Sequence, residues 1–136
     1  MIPPLKTGAI VMLTIALAYW GVIFYLTHTQ IPPQLGGGGR DKIAHFVAYG
    51  CLALLLCASA ACFWRPGVKT LLAVVGLASL YGVVDETTQM LVSGRTASVL
   101  DWRADVCGAL MGVALFAIAS RWLWPKKIPL AQGTTG

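Results

Sequence analysis

Three short stretches of this chain carry side chains that can move protons or hold charge. Asp41, His45 and Tyr49 are spaced i, i+4, i+8, which places them on one stripe of a helix. Tyr81, Asp85 and Gln89 repeat that spacing, with Gly82, Glu86 and Gln89 on the adjoining stripe, and Arg95, Asp101 and Asp105 follow. A carboxylate one turn from a histidine orients its imidazole for general acid–base work, with His45 as base and Asp41 as the orienting group. The same arrangement also serves a histidine that is merely buried and satisfied. Asp41 is equally well placed as a helix N-cap. Asp85 and Glu86 resist being charged together, so burial would keep one of them protonated, as an acid. Arg95 with Lys42 would clamp a phosphate, or Arg95 would anchor the acids around it through salt bridges. No hydroxyl or thiol nucleophile stands beside these groups, which argues against covalent catalysis. A divalent cation on the carboxylates and His45 is chemically open, but the spacing matches no established metal motif, so neither metal nor cofactor is expected.

The elements that must position these groups are membrane spans. Of 136 residues, 57% are hydrophobic and only 11% charged. A soluble domain carries about 25% charged residues, so this chain could not coat a water-facing surface. A soluble enzyme, a disordered regulator and a nucleic-acid-binding domain are excluded together. Gly8 to Thr27 is uncharged and long enough to cross a bilayer core, and no small-x-small site follows it, so it reads as a retained span rather than a signal peptide. Further spans are expected from about Lys42 to Trp64, from Thr70 to about Val92, and from about Asp101 to Trp124. Gly36 to Gly39 make a mobile connection, and Arg65-Pro66-Gly67 a tight turn. The expectation is a domain over residues 1–125 and a disordered cytoplasmic tail over 126–136. Cys51, Cys57, Cys62 and Cys107 all lie in apolar stretches and read as small packing residues.

Charge then orients the spans. Lys6, Arg65, Lys69, Arg121, Lys126 and Lys127 fall on one side with no acid, net +6. Arg40, Lys42, Arg95 and Arg103 fall on the other with all five acids, net −1, which together give the chain's +5. By the positive-inside rule both termini are cytoplasmic, and the acids and both histidines occupy the outer half. Asp85 lies about 10 Å into the membrane by helical rise. A charge there costs about 2.5–3.5 kcal/mol, so such groups face a protein interior or a wet cavity. Ser98-Val99-Leu100-Asp101 is an S-x-x-D capping box for the last span, which gives Asp101 a structural job of its own. Gly108 and Gly112 form a GxxxG that brings another backbone close, either within the chain or across a homo-oligomer.

Read in order, D-K-x-x-H-F-x-x-Y (Asp41, Lys42, His45, Phe46, Tyr49), Y-x-x-x-D-E-x-x-Q (Tyr81, Asp85, Glu86, Gln89) and R-x5-D-x3-D-x2-G (Arg95, Asp101, Asp105, Gly108) strongly resemble the VanZ-like family. These are small bacterial membrane proteins named for a teicoplanin-resistance protein. The resemblance runs from the first span through the fourth. It departs at Ser93, where the family often has Pro, and at Asp105, where Asn is more usual. It implies a multi-pass protein of the bacterial inner membrane, in some members linked to lower susceptibility to lipid-tailed glycopeptides.

The expected architecture is all-α, an integral membrane four-helix bundle with an outward-facing polar pocket. Asp41, His45, Asp85 and Glu86 would be its catalytic candidates. Lys42, Tyr49, Tyr81, Gln89, Arg95, Asp101 and Asp105 would line the binding surface. The expected partners are membrane lipids and a lipid-linked cell-wall intermediate or lipoglycopeptide that the protein binds or modifies; no nucleic acid is expected. Two rival classes use the same residues. A proton-coupled transporter or flippase would need an oligomer, because four helices are few for alternating access. A purely structural membrane protein would use the polar residues as interhelical ties.

Overall fold

Pro66 has no backbone N–H to donate and Gly67 has no helical preference, so the chain cannot continue as helix through this point. In the computed structural model, which describes residues 7–29 and 39–123, it turns there between two of four helices. These are α1 (Thr7–Thr27), α2 (Arg40–Ala61), α3 (Val68–Gln89) and α4 (Val99–Leu123). All four are long and apolar enough to cross a membrane, and no strand occurs among the described residues. The protein is an all-helical four-helix bundle. Leu35 to Gly38 and the 126–136 tail lie outside the described residues.

The helix ends differ from the sequence expectation by two or three residues. α2 stops at Ala61 because Cys62, Phe63 and Trp64 fold into tight turns on Ser59 and Ala60, and the Trp64 indole then donates to Thr70 Oγ1 at 3.2 Å. α3 stops at Gln89, with Leu91 and Val92 making three-residue closures onto Thr88 and Gln89. Asp41 does not cap α2. Gly39 holds the capping position with φ 80°, in the left-handed region, which places Asp41 inside the first turn.

The most extensive interface is α2 on α4, and glycine makes it so. A Cβ on Gly108 would collide with the Phe46 carbonyl, and one on Gly112 with the Gly50 carbonyl. The GxxxG thus takes a backbone from its own chain, the intramolecular of its two readings. α3 packs on α4 through Gly82, whose absent Cβ leaves room for Trp102 and the Asp105 carboxylate, while the Trp102 indole donates to the Ser79 carbonyl at 3.1 Å. α1 rests on α2 and more lightly on α3. It is fastened to α2 by Tyr19 to the Ala48 carbonyl and Ser59 to the Met12 carbonyl, both 3.2 Å. Tyr49, Leu52, Ala53, Cys57, Ala78 and Ala109 fill the centre. Outside, Leu72, Leu80, Val99 and Trp122 are each more than 60% exposed, a surface suited to lipid tails and not to water.

Candidate functional site

Antiparallel packing gathers the C-terminal ends of α1 and α3 and the N-terminal ends of α2 and α4 at one end of the bundle. Every acid and both histidines lie there. At the centre, His45 on α2 donates from Nδ1 to Asp105 Oδ1 on α4 at 2.9 Å. Glu86 on α3 lies against both: one donor atom from each of His45, Glu86 and Asp105 falls within 4.8 Å of the others. Asp105 is 0% exposed, Glu86 5% and His45 9%. Three helices thus contribute to one buried cluster, as the expense of isolated acids in a membrane requires.

His45 therefore takes its carboxylate from Asp105 and not from Asp41. Asp41 shares its own helix and turns to the rim instead, where Lys42 Nζ reaches it at 3.4 Å and Asp101 at 3.1 Å. An i, i+4 pair shares a face but need not touch, because each side chain takes the stronger partner that a neighbouring helix offers.

Asp85 forms a second polar knot beside the first. Its Oδ1 accepts the Thr27 hydroxyl at 2.7 Å and the Tyr81 hydroxyl at 3.4 Å, with His28 Nδ1 at 3.8 Å. His28 donates to the Phe24 carbonyl at 2.8 Å, and its Nε2 meets Thr88 Oγ1 at 3.0 Å. Thr27, His28 and Thr88 carry none of the three motifs. The only pointer to them in the sequence is their place at the polar end of an apolar helix. Gln89 is buried beside the Glu86 carboxylate. Tyr49 and Tyr81 stack at 5.8 Å between the two knots, and Tyr49 stacks on His45 at 6.5 Å.

The capping box at α4 is half what the sequence suggests. Ser98 Oγ accepts the Asp101 N–H at 3.3 Å, as an N-cap does. The reciprocal bond is not made by Asp101, whose carboxylate goes to Lys42. Glu86, from another helix, accepts the Ser98 N–H at 2.6 Å in its place.

Arg95 makes no ion pair with the acids among the described residues. Its guanidinium forks onto the end of α1, donating to the Thr29 carbonyl at 2.8 and 3.3 Å and to the Leu26 carbonyl at 3.1 Å, carbonyls that the helix itself leaves unpaired. Lys42 faces α4 across the bundle end.

A groove reaches this site. It encloses about 180 Å³ between α1 and α2, walled by Val22, Ile23, Leu26, Ala44 and Ala48, with His45 and Tyr49 at its side and Asp41 and Arg95 also in its lining. An apolar trough that ends on an imidazole, a carboxylate and a guanidinium is suited to a molecule with a tail and a polar head.

Such a bundle, with these three motifs converged, matches one family description. The family model for VanZ/LLP1 covers residues 7–120. The chain belongs to the VanZ/LLP1 family. No curated protein and no solved structure matches it. As a VanZ/LLP1 protein with four spanning-length apolar helices, it is a multi-pass membrane protein.

Proposed function

We propose that this VanZ/LLP1 protein works in the bacterial cell envelope by binding an amphiphile. The hydrocarbon tail lies in the groove between α1 and α2, and the polar head meets His45, Asp41 and Arg95. The observation that carries this reading is the groove itself, which joins an apolar wall to the edge of the buried cluster at His45 and Tyr49. The tail is removed from competition with bulk lipid by shape, and the head replaces water at groups already fixed by neighbours: His45 by Asp105, Arg95 by the α1 carbonyls. His45, with Nδ1 engaged, keeps Nε2 as the nitrogen free to accept a proton or a hydrogen bond. A lipid-linked cell-wall intermediate or a lipoglycopeptide has the required form, which would connect binding to lower glycopeptide susceptibility. The protein would sit in the inner membrane with both termini cytoplasmic and the cluster facing outward.

Filling the trough tests this. Ala48→Trp adds bulk on the apolar wall and leaves every polar group in place. The purified full-length protein in nanodiscs is expected to bind a polyprenyl phosphate or teicoplanin by native mass spectrometry, and Ala48→Trp to lower that binding at least tenfold. Equal binding by the variant, or no binding of either probe by the wild type, would overturn the reading.

A further inference from the structure

We infer that His45, Glu86 and Asp105 form a binding site for one divalent transition-metal ion. Glu86 Oε1 and Asp105 Oδ2 are buried oxygens without a hydrogen-bond partner, and both belong to side chains at least nine-tenths buried. A buried carboxylate oxygen without a donor forfeits its hydration for nothing, so native proteins rarely leave one, and here there are two in the same cluster.

A separate observation comes from Tyr49. Its side chain is 0% exposed and its hydroxyl also has no hydrogen-bond partner, although Asp105, Asp85 and Glu86 are its charged neighbours. A phenol free to donate to a nearby carboxylate has not done so. Three buried polar atoms in and beside the cluster thus lack a partner.

Two of the cationic side chains of this end are committed elsewhere. Lys42 holds Asp41 and Asp101, and Arg95 holds backbone carbonyls at the end of α1. The three groups, brought together from three helices, are a donor set for one cation. The donor set selects the ion. Magnesium and calcium favour oxygen alone, whereas one imidazole with two carboxylates suits zinc, manganese or iron(II). Donor atoms around a tetrahedral zinc ion lie about 3.3 Å apart, so a group within 4.8 Å of one another closes onto it by small side-chain rotations.

Second contacts already fix the ligands. Ser98 N–H holds Glu86, and the close approach at Gly82 seats Asp105. The site stands whether or not the groove takes an amphiphile. His45 belongs to both, so an ion here would lie at the polar end of the groove.

The test uses the full-length protein purified in detergent, stripped with EDTA and then titrated separately with Zn2+, Mn2+ and Mg2+. Metal content is read by inductively coupled plasma mass spectrometry, and unfolding by thermal melting. Zn2+ or Mn2+ is expected to bind at about one equivalent and to raise the melting temperature, with Mg2+ at least tenfold weaker. His45→Gln and Asp105→Asn should each abolish uptake, while Asp101→Asn, at the rim, should retain it. Absence of stoichiometric uptake by the wild type, uptake unchanged in both cluster variants, or Mg2+ bound as well as Zn2+ and Mn2+ would overturn the assignment. None of these readouts involves an amphiphile, so their failure and the failure of the groove reading are separate results.

Discussion

Glu86 carries two duties on its two oxygens. One accepts the Ser98 N–H at the start of α4, and the other is buried without a hydrogen-bond partner in a side chain that lies against His45 and Asp105. The duties come apart under substitution. Glu86→Gln keeps an oxygen for Ser98, so α4 keeps its cap and stability should change by no more than about 1 kcal/mol. Glu86→Ala leaves that N–H buried and unpaired and should cost about 1–3 kcal/mol. Thermal melting in detergent should therefore rank wild type close to Glu86→Gln and well above Glu86→Ala. If the amphiphile reading holds, glycopeptide susceptibility in a sensitised host should show loss of function in both variants. At this scale the sequence revealed which polar residues gather at one end of the bundle better than whom they meet. The spacing within α2 correctly joins Asp41, His45 and Tyr49 as one stripe. The partner of His45 comes from α4 sixty residues later, and the rotation of α4 that presents Asp105 is invisible to any spacing along the chain.

Between elements, the geometry rests on a few missing methyl groups. Gly108 and Gly112 allow α4 to touch the α2 backbone, and the His45–Asp105 hydrogen bond spans that same seam. Gly108→Ala must push the two helices apart and should cost about 1–3 kcal/mol through overpacking, with loss of the cluster geometry. Gly76→Ala is the comparison, because a Cβ there meets nothing within 4 Å. It should melt at or above the wild-type temperature, since alanine is the better helix former by about 1 kcal/mol. Equal melting of the two variants would show that the seam is not held by close approach. The GxxxG spacing was readable beforehand; that its partner lies on α2 of the same chain was not, because a glycine pair states how near a backbone comes and not which one. The helices themselves were legible to within a few residues, because fifteen or more uncharged, largely apolar residues in a row leave little choice. Their ends shifted where side chains of the turns, Trp64 on Thr70 among them, made bonds that composition does not report.

Over the whole molecule, the arrangement is polarised. One end holds the acids, the histidines and the mouth of the groove, while the other carries Arg65 and Lys69. With the native cysteines replaced, Thr96→Cys at the acidic end should react with a membrane-impermeant thiol reagent in intact cells, and Lys69→Cys should react only after the membrane is opened. Both positions are exposed on the protein, so accessibility is decided by the membrane side alone. The reverse labelling would invert the orientation. Nothing in this polarity needed the structure, because charge along the chain already records it. The groove, by contrast, depends on how α1 leans on α2, and lipid-facing and groove-facing apolar residues look alike in a sequence. Val22 is half exposed and lines the groove; Leu17, on the same helix, is as exposed and does not.

The bond between Glu86 and the start of α4 also bears on how the chain enters the bilayer during synthesis. A helix that completed its own cap could leave the translocon alone. α4 takes part of its cap from α3 and lays Asp105 against the bare face of Gly82, so released alone it would bring an open N–H to the membrane surface and a lone carboxyl into hydrocarbon. Released beside α3, it brings neither. The expected route is a helical hairpin of α3 and α4 inserted as one unit, with Glu86 completing the cap of its neighbour.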